Sequence, residues 1–216
     1  MKRYQLPSKE SWAEICSRPV LKKDKLKKTV KCILDQVRET GDQALYELTE
    51  QFDSVRLKSI VVSKKEIANA SSCVGEELKS AIKVAKKNIE AFHIQQQDSE
   101  QIIETSKGVN CWRKSIAIEK VGLYIPGGSA PLFSSILMLG IPAVQAGCNE
   151  IVLCTPPNKK GEINPVILYT AALIGITKVF KVGGAQSIGA MAYGTESVPK
   201  VYKIFGPGNQ FVTKAK

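Results

Sequence analysis

Apolar residues recur at helical spacing through the first half of the chain. Leu26, Val30, Ile33, Leu34 and Val37 make one stripe on a helix predicted over residues 24–40, which Gly41 ends. Ala44, Leu45, Leu48 and Phe52 do the same over 42–52, and Leu78, Ile82, Ala85, Ile89 and Phe92 over a long helix at 76–93. A short helix with a serine cap is predicted over 8–16. Residues 59–63, SIVVS, read as a short strand. Ser63 and Glu66 have the spacing of a capping box, which opens a further helix. The polar QQQDSEQ run that follows reads as a loop or joint.

From Gly108 the texture changes. GVNCWRKSIAI alternates as a strand does, and then apolar strand-like runs alternate with helical ones up to NQFVTKAK. Strands that are apolar throughout, each followed by a helix, belong to a parallel sheet covered on both faces. The predicted fold class is α/β: a mostly helical region over 1–107, then a Rossmann-like parallel sheet over 108–216. Right-handed crossovers bring the loops after such strands to one edge, where ligands bind.

Three of those loops are glycine-rich. VGLYI leads into PGGSAPLF, VFKV into GGAQSIGA, and VYKIF into GPGNQF. Glycine permits positive φ and a close approach of ligand to backbone, and a helix start behind the loop offers free N–H groups to a pyrophosphate. None of the three matches G-x-G-x-x-G with an acid about twenty residues on. Each alone reads as a tight turn. Together they point to a nucleotide or phosphate site.

Composition narrows the classes. No window approaches the roughly 20 apolar residues that cross a bilayer, and the basic start has no apolar run behind it, so a cytoplasmic protein is expected. The six cysteines are scattered without a CxxC pair, and His93 is the single histidine. Reduced, mostly buried thiols are expected, and no metal site from this chain alone. The net charge of +11 is spread along helices among acidic residues, without stacking aromatics, which favours a solvated basic face over nucleic-acid binding.

The strings VGLYIPGGSAPLFSSILMLGIPAVQAGC, VFKVGGAQSIGAMAYGTESVPKV and KIFGPGNQFVTKAK closely resemble the histidinol dehydrogenase family, and DQVRETGDQALYELTEQFD and KNIEAFH resemble its leading helices. The resemblance implies two-step, NAD-dependent oxidation of L-histidinol to L-histidine through the aldehyde, in histidine biosynthesis. It also implies a zinc ion that holds the substrate, a homodimer, and a fold related to the aldehyde dehydrogenases. Its NAD contacts fall on Tyr124, Gln186 and Asn209. By residue chemistry alone, Tyr124 also reads as half-buried packing and Asn209 as a helix cap. The family's zinc ligands, glutamate–histidine pair and substrate-gripping residues lie later in its sequence. The chain is therefore expected to be the first half of a family member, with no catalytic residue or metal ligand of its own, and inactive alone. Two other readings stand beside this one: an aldehyde-dehydrogenase-like enzyme using Cys148 or Cys154 as nucleophile, and a non-enzymatic basic binding module.

Overall fold

A computed structural model describes residues 3–17, 23–97, 99–128 and 130–216; Asp98 of the polar joint and Ser129 of the first glycine-rich loop lie outside them. A 3-10 turn at Lys9–Ser11 leads into helix α1 (Trp12–Ile15). Then come α2 (Lys23–Thr40), α3 (Asp42–Asp53), α4 (Lys64–Ala70) and α5 (Glu76–Ile94). An exposed antiparallel hairpin, β1 (Ile103–Ser106) and β2 (Val109–Cys111), follows. The remainder alternates: β3 (Lys120–Tyr124), α6 (Phe133–Gln145), β4 (Glu150–Thr155), α7 (Pro165–Leu173), β5 (Lys178–Lys181), α8 (Gly184–Tyr193), β6 (Lys203–Phe205) and α9 (Gln210–Ala215).

The last four strands form one parallel sheet in the order β5-β4-β3-β6. The chain runs outward from β3 to β5, then returns across β3 to add β6 on its other side. That reversal makes a switch point between β3 and β6, where loops leave the sheet in opposite directions.

Successive residues of a strand face opposite sides, and the two cores follow that rule. Val152 and Cys154 join a core with α2, α3, α8 and α9, while Leu153 between them joins a core with α4, α5, α6 and α7. The N-terminal helices thus divide between the two faces of the sheet. On α2, Val30, Ile33 and Val37 are buried and Leu26 and Leu34 pack against the same core, as the stripe predicts. Gly189 lets α8 come close to α2, since a methyl there would sit 3.1 Å from Leu34. Among the described residues no helix is long and apolar enough to cross a membrane.

Some local expectations change. Residues 59–63 form no ladder strand. Val61 makes a single bridge to Phe180, with Val62 N–H donating to the Val179 carbonyl and Lys181 N–H to the Ile60 carbonyl. Phe52 and Phe92 fall on the predicted inner stripes yet are 50% and 65% exposed, because each lies at the end of its helix beyond the reach of the core. Ser8 precedes the first turn without a side-chain cap bond.

The Ser63 capping box does form, and it ties α4 to the sheet. The Glu66 carboxylate accepts from Ser63 N–H and Oγ, both at 2.8 Å, and pairs with the mostly buried Lys181 ammonium at 2.6 Å. Burial by itself raises the Glu66 carboxyl, but Lys181 and Ser63 outweigh it and hold the group below its ordinary value. A depressed carboxyl contributes stability that is present above its unfolded value and lost as pH falls through the lower folded one. The stability difference between wild type and Glu66→Gln is therefore expected to be widest near neutrality and to close in acid, below the ordinary value of 4.5. Urea titrations at stepped pH check this; a difference that stays constant into acid would refute it.

Candidate functional site

The carboxyl ends of the strands converge on a cleft of about 660 Å³. Its walls come from the loops after β3, β4 and β5, from the start of α9, and from α2 and the end of α3. Tyr124, Gln186 and Asn209, three residues from three separate glycine-rich loops, all line it.

The loops meet through residues that tolerate no extra bulk. A methyl on Gly127 or Gly183 would sit 2.7 or 2.5 Å from the Pro156 ring, so the turns after β3, β4 and β5 close on one another. Gly206, with φ +137°, passes against the backbone of Tyr124. At Gly128 a methyl would meet nothing within 4 Å, so open space remains on this wall of the cleft.

Tyr124 ends β3, is buried among the first core, and its hydroxyl accepts from Gly184 N–H at 3.2 Å. Burial pushes its phenol above the ordinary value, the Gly184 bond partly offsets this, and the Asp53 carboxylate adds to the rise. The phenol keeps its proton at neutral pH, so Tyr124 presents an O–H donor. Gln186 lies in the first turn of α8 and is 1% exposed, yet its Oε1 has no hydrogen-bond partner. A buried orphan of this kind is uncommon and marks a place where a ligand donor fits. Gly184, Ala185 and Gln186, the first turn of α8, line the same cleft at the positive end of that helix. Asn209 caps α9, its Oδ1 accepting from Phe211 and Val212 N–H at 3.0 and 3.1 Å. The helix-cap reading of Asn209 therefore holds, and only its amide N–H₂ is left to donate outward.

Asp53 and Phe52 also line the cleft. The Asp53 Oδ2 is buried without a partner, and burial raises the carboxyl above its ordinary value. Nothing local in the sequence points to these two residues. They belong to the end of a helix 71 positions before Tyr124, and only the packing of α3 over the sheet brings them in.

No cysteine lines the cleft among the described residues, and the expectation of mostly buried thiols fails: Cys16, Cys32, Cys73 and Cys111 are exposed. Cys148 lies before β4, at the edge of the sheet opposite the cleft, and burial raises its thiol. Cys154 is fully buried in the core, and desolvation pushes its thiol far up. Neither is a ready thiolate. His93 sits at the end of α5, its Nδ1 within 2.7 Å of Gln96 Oε1. Among the described residues no group of three or more His, Cys, Asp and Glu could hold a metal ion, so the residues present do not fit a zinc site.

The family model of histidinol dehydrogenase matches residues 16–216. Histidinol dehydrogenase of Bacteroides thetaiotaomicron is 57% identical over 216 residues, which is 100% of this chain and 50% of that protein. That of Shigella dysenteriae is 50% identical over 208 residues, 96% of this chain and 47% of that protein. The crystal structure of histidinol dehydrogenase from Elizabethkingia anophelis matches with a TM-score of 0.91 at 52% identity, over 97% of this chain and 48% of that one. The chain spans about half the length of the curated relatives it matches. With the fold, the sequence and the solved structure all in agreement, the chain belongs to the histidinol dehydrogenase family.

Proposed function

We propose that this chain supplies the NAD-binding half of a histidinol dehydrogenase, which oxidises L-histidinol to L-histidine in two NAD-dependent steps through the aldehyde. The observation that carries the reading is the buried, unpartnered Oε1 of Gln186, which shares one cleft with the Tyr124 hydroxyl proton and the Asn209 amide. NAD supplies the hydride acceptor when bound. Residues 108–216 form most of its cradle, α2 and the end of α3 complete the wall, and the helices of 1–107 brace the sheet on both faces. Gln186 accepts from a cofactor hydroxyl or amide, Tyr124 and Asn209 donate, and the start of α8 faces the diphosphate. The group that takes the substrate proton, the zinc ligands and the substrate grip come from outside these 216 residues. The working protein is a cytoplasmic homodimer.

Binding can be read directly by isothermal titration of the chain with NAD. Removing one partner of a buried hydrogen bond costs about 1–2 kcal/mol, so Gln186→Ala and Tyr124→Phe are each expected to weaken NAD by roughly 5- to 30-fold. Affinity that stays the same in both variants would sink the reading of the cleft. The chain alone is expected to form no NADH from histidinol and NAD; sustained NADH fluorescence that depends on histidinol would contradict the division of labour.

A further inference from the structure

We infer that Asp53 holds the adenosine ribose of the cofactor through its 2′- and 3′-hydroxyls, and so makes the site selective for NAD over NADP. The inference rests on the cleft being an NAD site.

Three observations lead to it. First, Asp53 is a carboxylate with an unmet need. It ends α3, where the helix dipole is negative, and no cation pairs with it among the described residues. Its Oδ2 is nevertheless shielded from water and has no donor. Folding has left an acceptor that a ligand with hydroxyl donors would satisfy, and a vicinal diol offers two donors at the spacing of one carboxylate.

Second, the position is right for a nucleoside. Phe52 lines the same cleft and is half exposed, an apolar surface for a base plane, and Ile33 of α2 lines it too. The left-handed Ser54, with φ 56°, turns the chain sharply away directly after Asp53, so the side chain stands at the end of a rigid helix. Tyr124 and the start of α8 line the same cleft, where the diphosphate would run.

Third, the place that normally carries this acid is empty of one. In dinucleotide-binding βαβ units the ribose acid stands at the end of the second strand, about twenty residues past the glycine loop. Here the second strand of the sheet unit, β4, ends at Thr155 and is followed by Pro156 and Pro157. The carboxylate is delivered instead from α3, outside the βαβ unit. A 2′-phosphate would bring close to two further negative charges beside Asp53. Among the described residues no lysine or arginine lines the cleft to neutralise them.

The test is calorimetric titration of the chain at neutral pH with NAD, with NADP and with ADP-ribose. Wild type is expected to prefer NAD. Asp53→Asn is nearly isosteric, and its melting temperature reports that it folds. It is expected to bind NAD and ADP-ribose about tenfold more weakly and to lose most of the discrimination against NADP. Tyr124→Phe serves as the control: it should weaken both dinucleotides together and leave their ratio unmoved. NAD binding that persists in Asp53→Asn with an unchanged NAD-to-NADP ratio overturns the role of Asp53 and leaves the cleft intact. Wild type that binds NADP as tightly as NAD overturns it too. Wild type that binds none of the three ligands overturns the cleft reading itself, and this inference with it.

Discussion

Gly206→Ala is expected to lower the melting temperature by roughly 10 °C and to abolish NAD binding. Gly206 follows β6 directly, at φ +137°, a conformation that side chains rarely adopt. An added methyl would lie 2.1 Å from the Tyr124 carbonyl oxygen and 3.1 Å from its nitrogen. These are backbone atoms of β3, so no side chain can swing aside to relieve the clash. Backbone strain contributes about 1–3 kcal/mol and overpacking about as much again. At 2–4 °C per kcal/mol for a chain of this size, the sum gives the stated fall. The functional consequence follows from the same contact. β6 can escape only by moving off β3, and Tyr124 is the residue it would release. Differential scanning calorimetry and an NAD titration check the two parts; a variant that melts within a degree of wild type would refute the account.

Asp42→Ala is expected to destabilise the chain by about 2–4 kcal/mol, as several hydrogen bonds to one charged group are lost together. Asp42 opens α3, and its carboxylate accepts from the Thr195 hydroxyl at 2.6 Å, from Ser197 N–H at 3.2 Å and from the Ser197 hydroxyl. Its own N–H donates to Glu196 at 2.8 Å. The joint between α2 and α3 is thereby fastened to the segment between α8 and β6. Alanine leaves the Thr195 and Ser197 groups without their acceptor in a partly buried setting. Asp42→Asn keeps one oxygen acceptor and should lose clearly less. Urea unfolding should show a shifted midpoint with an unchanged slope, since the surface exposed on unfolding stays the same. Equal losses in the alanine and asparagine variants would show that the carboxylate matters only as bulk. The two predictions are linked, because both junctions hold the layers that frame the cleft.

The Asp42 cluster also shows why part of the fold was hidden. Its partners lie more than 150 positions away, and no local pattern marks an aspartate at a helix start as anything but a dipole partner. The α2 stripe was legible because a 3.6-residue period states which side of a helix is buried. The all-apolar run of β4 was legible because only a strand covered on both faces needs Val152, Leu153 and Cys154 all apolar. Residues 59–63 have the composition of a strand, yet they meet the sheet edge at a single bridge. Composition speaks of β propensity, not of whether an edge is free to pair.

What the sequence by itself determined was the set of local structures and the family. The periodicities, the Ser63 capping box and the three glycine-rich loops are properties of neighbouring residues, and long matching strings around Tyr124, Gln186 and Asn209 suffice for kinship. What only the tertiary structure decided was which of those residues meet. Strand order β5-β4-β3-β6 brings the three loops to one cleft, and helix packing places α2 and α3 on one face and α4 and α5 on the other. It also showed Gln186 buried without a partner, Asn209 spent largely on its own helix, and Asp53 carried into the cleft from outside the sheet unit. The physical reason is that burial and desolvation depend on atoms far apart in the chain. A carboxylate's surroundings are set by packing, and packing is not written in any short stretch of residues.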